Sequence, residues 1–211
     1  MTRQELEQRI RQGEHITGDF SGADLIGADL RGSIWLQADL SGAKLTGADF
    51  SNSVLSNVTM SGANLEGCRL YETTLNDCDL SGASLNTAHM EFSPIVNSDM
   101  NGISMSRARL NGASFIACSM TRANLAETEF VNGALMELDL AEADMSGIIL
   151  EKTTLVQTDL RTTILDKARF ELCMFTQSNL SGKNLSGMHM AMCQFIKADL
   201  RGADLTGCDL T

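Results

Sequence analysis

The chain has 211 residues, with 27 acidic against 16 basic side chains, a formal charge of -11 and a single proline. That excess of negative charge disfavours direct binding to nucleic acid or insertion at an anionic membrane surface, because both need a cationic counterpart. No run approaches the ~18 apolar residues of a membrane span, and no shift in composition marks a linker between two globular units.

In chain order, the first expected element is a short helix within residues 1–14. Thr2 and Glu5 have the spacing of a capping box, Leu6 and Ile10 share one face, and Gly13 is placed to end the segment. Its polar opening, Met1-Thr2-Arg3-Gln4-Glu5, lacks the apolar core of a signal peptide. A cytoplasmic protein is therefore expected, with a signal-free secretion route as the remaining option.

From residue 15 to residue 211 one pattern governs the chain. Every fifth residue from Phe20 to Leu210 is large and apolar: 39 positions holding 23 Leu, seven Met, seven Phe, Trp35 and Ile95. In 33 of them the residue two places earlier is Ala, Ser, Thr, Cys or Gly. A period of five fits neither the 3.6 of a helix nor the 2 of a half-buried strand. It fits a solenoid with five-residue sides, the large residue and its small predecessor both pointing inward.

The runs Ala23-Asp24-Leu25-Ile26-Gly27, Ala38-Asp39-Leu40-Ser41-Gly42 and Ala203-Asp204-Leu205-Thr206-Gly207 resemble the A(D/N)LXX signature of pentapeptide-repeat proteins, and the resemblance covers about nine-tenths of the chain. It implies an all-β fold, a right-handed quadrilateral parallel β-helix of about ten coils with four pentapeptides per coil. Sorting the repeats into four classes twenty residues apart supports that coil size. Asp precedes the central residue seven times in the class of Leu40, three times in those of Leu45 and Phe50, and never in that of Trp35. Stacked at ~4.8 Å, the coils predict a rod on the order of 45 Å long.

Two surface features are candidate sites. Asp19, Asp39, Asp79, Asp99, Asp139, Asp159 and Asp199 form a ladder up one face. In the family this is the feature that suggests a DNA-like negative surface, although Asp or Asn at this position also bonds neighbouring backbone at turns. The net charge is about one per 4 Å of rod, against one per ~1.7 Å for duplex DNA. The face of Trp35 instead carries Ile34, Leu36, Val54, Val96, Ile116, Met136, Val156, Met174 and Ile196 at outward positions. They are expected to form an exposed apolar stripe of the kind that marks an interface, with the β preference of branched residues as the alternative reason for their presence. Six further outward apolar residues, Tyr71, Phe92, Val131, Ile149, Leu172 and Met192, belong to the face of Phe50.

At the far end the register runs to Leu210, leaving a coil edge formed by Phe195, Leu200, Leu205 and Leu210 that is expected to be buried in a homodimer or by a partner. All six cysteines, Cys68, Cys78, Cys118, Cys173, Cys193 and Cys208, take the small inward position, which predicts buried reduced thiols and no metal site. His15, His89 and His189 offer no catalytic pairing, and glycines occur singly, so neither catalysis nor a cofactor is expected. Pro94 is expected to cost one ladder bond, and Lys183 stands at an inward small position that its ammonium must leave.

The preferred reading is a non-catalytic protein-interaction scaffold or adaptor, accessory to a bacterial secretion or effector system; its capped opening resembles those of some bacterial secretion-associated and adaptor proteins. The alternative implied by the resemblance is a DNA mimic that binds DNA gyrase or topoisomerase IV, giving quinolone or peptide-antibiotic resistance. Against it stand an unbroken register with no projecting loop and no C-terminal helix.

Overall fold

The computed structural model describes residues 2–211. Its helix, Arg3–Arg11, opens on the reciprocal cap that the sequence encodes: the Glu5 N–H donates to Thr2 Oγ1 at 3.3 Å and the Thr2 N–H donates to Glu5 Oε2 at 2.7 Å. Gly13, at φ 77°, ends it in the left-handed region. Leu6 is buried in the solenoid core, and the Arg3 guanidinium donates to the carbonyls of Ile26 and Gly27 at 2.8 and 2.6 Å. The helix thus covers the apolar edge of the first coil.

Beyond it the chain winds as a parallel solenoid. One face is a nine-stranded sheet of His15–Asp19, Ile34–Asp39, Val54–Ser56, Thr74–Asn76, Pro94–Val96, Ser114–Ile116, Ala134–Met136, Thr154–Val156 and Met174–Thr176. A second sheet joins Glu129–Val131, Ile149–Glu151, Arg169–Glu171 and His189–Ala191. Paired residues are twenty apart wherever the register is regular, as in Phe115 with Leu135 and Leu155 with Phe175, so each coil is four pentapeptides long. The other faces are joined by isolated bridges at the same spacing, such as Asp79 with Asp99 and Arg69 with His89.

Inside, the fifth-residue positions are buried from Phe20 to Met190. Trp35 lies between Phe20 and Phe50, with ring centroids 5.4 and 6.0 Å away, and its indole N–H donates to Ser33 Oγ at 2.7 Å. Small inward residues make room for large ones: a Cβ on Gly133 would lie 2.0 Å from the Phe130 ring. Polar small residues solve a different problem. Thr73 donates to the carbonyl of Phe50 at 2.8 Å, Thr128 to that of Met105 at 3.0 Å and Thr153 to that of Phe130 at 3.1 Å, always 23 residues back. The thiols of Cys78 and Cys173 aim at Leu55 and Leu150 in the same way, at 3.5 and 3.2 Å. These cysteines act as small core residues with a weak donor. All six are free; burial pushes the thiols of Cys68 and Cys118 up and that of Cys78 up to about 11.

Pro94 has the expected local effect. The strand pairing with Thr74–Asn76 begins at Ile95, one residue late, and is complete again toward Ser114. A second irregularity lies beside Leu138. Leu138 fills an inward position that is small in most repeats, and the backbone bonds that would join residues 139–142 to 158–161 are absent among the described residues, the Glu142 N–H turning to Thr162 Oγ1 at 3.1 Å.

Because each coil contacts chiefly its neighbours, damage should stay local. Trp35→Ala is expected to destabilise the N-terminal coils by ~3–5 kcal/mol. Amide hydrogen exchange should show protection falling in residues 15–60 while residues 150–190 keep theirs.

Candidate functional site

Each outward position is fixed by the turn chemistry beneath it. In the acidic ladder, all seven carboxylates accept the backbone N–H two residues on: Asp19 from Ser21, Asp39 from Ser41, Asp79 from Ser81, Asp99 from Asn101, Asp139 from Ala141, Asp159 from Arg161 and Asp199 from Arg201, at 2.8 to 3.0 Å. These are Asx turns, the local reason for Asp at this position. Arg161 and Arg201 further pair with Asp159 and Asp199, each at 2.7 Å. The ladder is interrupted by Thr59, Ser119 and Asn179 on the same column, much of its hydrogen-bonding capacity is engaged, and Arg161 and Arg201 offset two of its charges.

The carboxyl of Asp199 is held down to about 2 by its bonds to Arg201, and that of Asp159 is lowered by Arg161. A carboxylate with a depressed folded pKa contributes stability that is present above its unfolded pKa and lost as pH falls through the folded one. Thermal melts between pH 5 and 2 should therefore fall with acid, and Asp199→Asn should flatten the part of that fall below about pH 4.

The apolar stripe is only partly exposed. Ile34, Val54, Met174 and Ile196 are exposed, whereas Leu36, Val96, Ile116, Met136 and Val156 are half-buried. The expectation of a fully exposed stripe is corrected here. Val96, Ile116, Met136 and Val156 stand on four successive coils in register, and each side chain covers the flank of the next. At the far end Phe195, Leu200 and Leu205 are half-buried and Leu210 is exposed.

A sharper apolar feature lies at the corner between the faces of Phe50 and Trp35. The second residue after the central one turns the corner with φ positive, near 50–70° at glycines and non-glycines alike, in every repeat from Phe20 to Leu205 except that of Leu160, where Thr162 departs from it. Glycine, Asn or another polar residue takes nearly all of these positions, as left-handed backbone favours. Phe92, Leu172 and Met192 do not, and all three stand at this one corner, with φ of 59, 54 and 53°. They are 56, 38 and 63 % exposed. A large apolar side chain there meets the strain of the left-handed region and gains little from burial. The Phe92 ring overlies Gly112, where a Cβ would lie 2.5 Å from it, and meets Tyr71 edge-on at a centroid distance of 5.7 Å.

Beside this aromatic pair, Arg69, His89 and Arg109 stack on three successive coils. Glu91 lies between the last two, 3.5 Å from His89 Nδ1 and 3.4 Å from Arg109 Nε, and Arg69 is 3.8 Å from Asp49. Together with Ser51 and Asn111 these side chains line an open groove of about 530 Å³. Tyr, Phe and Arg in a concave patch are the residue types that dominate protein interfaces. The sequence gives their face but not their convergence, which depends on neighbours twenty residues away. His15 lies in the first strand and His189 five coils beyond His89, so the three histidines do not meet. Among the described residues, no group of three or more His, Cys, Asp or Glu is placed to hold a metal ion.

Solved structures similar to this chain include HetL, a pentapeptide repeat protein involved in heterocyst differentiation regulation from the cyanobacterium Nostoc sp., at 21% identity over 99% of this chain and 94% of that one, with a TM-score of 0.36. QnrB1, a plasmid-mediated fluoroquinolone resistance protein, matches at 16% identity over 93% of this chain and 91% of that one, with a TM-score of 0.50. A pentapeptide repeat protein from the Arabidopsis thaliana thylakoid lumen matches at 27% identity over 49% of this chain and 69% of that one, with a TM-score of 0.42. At these identities the likeness concerns the fold alone. None of the curated protein sequences matches this chain. The family model for pentapeptide repeats matches eight overlapping times, from residues 19–57 to residues 175–211. The five-residue period, the twenty-residue coil and these matches agree, and the chain belongs to the pentapeptide-repeat family.

Proposed function

We propose that this protein is a non-catalytic scaffold that binds another protein along the corner between the faces of Phe50 and Trp35. The observation that carries the reading is the placement of Phe92, Leu172 and Met192: three exposed apolar side chains at backbone positions that disfavour them, all at one corner. Their contribution to folding is small, so contact with a partner is the better reason for their presence. Met174 and Ile196 are exposed near Leu172 and Met192, and Tyr71 with Arg69 and Arg109 flanks Phe92 four coils away, with Gly112, Asn132 and Lys152 at the corner between the two groups. An adaptor accompanying a bacterial secretion or effector system would use such a surface to hold its client.

The second reading, a duplex-like rod that binds DNA gyrase or topoisomerase IV, is supported by the fold shared with QnrB1. It rests on the acidic face, where the carboxylates serve the turns and Arg161 and Arg201 reduce the charge.

A variant carrying Phe92→Asn, Leu172→Asn and Met192→Asn separates the two. Asn already occupies this corner at Asn52 and Asn132, so the variant is expected to melt no lower than the wild type. In affinity capture from a native bacterial lysate, a partner held by the wild type should be lost by the variant. Recovery of gyrase subunits in equal amounts by both would overturn the scaffold reading and make the acidic face the working surface.

A further inference from the structure

On the face carrying Leu45, adjacent coils are joined by three recurring backbone bonds. Between residues 143–147 and 164–166 they run from the Met145 N–H to the Ile164 carbonyl, from Ile164 to Ala143 and from Gly147 to Asp166, at 2.9, 2.9 and 2.7 Å. The set recurs up this face and fails once, between residues 163–167 and 184–186. There the N–H groups of Leu165, Lys167 and Asn184 have no hydrogen-bond partner among the described residues.

The cause is Lys183. It occupies the inward position where most repeats have Ala or another small residue. A charged ammonium among Leu165, Leu185 and their neighbours would be severely penalised, so the side chain passes between the coils. Its Nζ donates to the Thr163 carbonyl, which the Asn184 N–H would otherwise use, and lies 3.4 Å from the Arg161 carbonyl. Lysine has thus replaced a rung of the ladder and holds the two coils apart.

The opening is a cleft of about 500 Å³. Lys167 and Lys183 bring two ammonium groups to it, and Arg161 stands at its rim, paired with Asp159. Asp166, Asn184 and Ser186 also line it, and the carbonyls of Asn184 and Ser186 accept no backbone N–H among the described residues. The cleft is therefore flanked by three unpaired N–H donors, the Lys167 side chain and a Lys183 ammonium already bonded to two carbonyls, with the Asp166 carboxylate as an opposing charge. A hydrogen phosphate ion matches this set, with several acceptor oxygens for the donors and a hydroxyl for a carbonyl. A neutral ligand would leave net positive charge at the cleft, since Asp166 offsets only one of the two lysines, and a strand would need a wider gap than the intact flanking bonds from Leu160 to Asn179 and from Phe170 to Met190 permit.

We propose that the cleft held open by Lys183 is a binding site for phosphate, free or as the phosphoryl group of a small metabolite. Lowering of the Lys183 ammonium by desolvation, opposed by Asp166, is consistent with a charge held in place at a cost that a bound anion would relieve.

Titration calorimetry at constant ionic strength, with inorganic phosphate in one arm and glycerol phosphate in the other, tests the site. Amide NMR on the same samples reports which groups respond. Saturable binding that moves the amide signals of Leu165, Lys167 and Asn184 is expected, and the tighter arm identifies the form of phosphate the cleft prefers. Lys183→Ala restores the usual small residue, so it should fold, close the ladder and weaken binding by about tenfold or more. Lys167→Ala alters only an exposed side chain and should weaken binding several-fold without changing the melt. No binding in either arm, or undiminished binding by Lys183→Ala, would overturn the proposal.

Discussion

The constraint on which the rest of the structure depends is the stacking of each coil on the next through backbone hydrogen bonds at a fixed offset of twenty residues. Once that offset is set, the environment of every side chain is shared between its own coil and the residues twenty before and twenty after it. The inward columns must then be filled consistently along the rod. Large apolar residues alternate with mostly small ones inside each five-residue side, and the Gly133–Phe130 contact shows how closely the two sizes are matched where space is least. The hydroxyls and thiols that replace alanine are tolerated because the same offset brings a backbone carbonyl within reach, as for Thr73 with Phe50 and Cys173 with Leu150.

That constraint also explains where the solenoid yields. Beside Leu138 and at Lys183, whose charge the core refuses, the structure gives up hydrogen bonds between coils while the faces of Phe50 and Trp35 keep theirs. A helix would kink at such a point. A four-sided coil can open one side because the remaining sides hold the register. Irregularity is therefore confined to a few residues, and with it any chemistry that needs unpaired backbone groups.

The core was legible in the sequence because burial follows a period that neither helix nor strand shares; Phe20 to Met190 are inside as the fifth-residue pattern requires. The cap was legible because Thr2, Glu5 and Gly13 act within one turn of each other. The surface was less so, for a reason tied to the same geometry. Whether Ile116 is exposed depends on Val96 and Met136, and whether Phe92 forms a patch depends on Tyr71 and Gly112. Lys183 was visible as an anomaly, but the direction its side chain takes depends on which carbonyl the neighbouring coil presents.

Repetition normally hides function, since a residue kept for its turn looks the same as one kept for a partner. The corner positions separate the two. An Asp before the central residue is accounted for by the N–H it accepts, and a Gly or Asn at the corner by the backbone it permits. Phe92, Leu172 and Met192 fit neither account, and Lys183 opposes the column it stands in. In a fold this regular, an exposed or charged residue that works against the local rule is a candidate for contact with something outside the repeat. Three such residues share one corner and are compensated best by a protein surface. The fourth opens a cleft whose donors are compensated best by an anion. The two sites therefore follow from one criterion applied to different positions of the same pentapeptide.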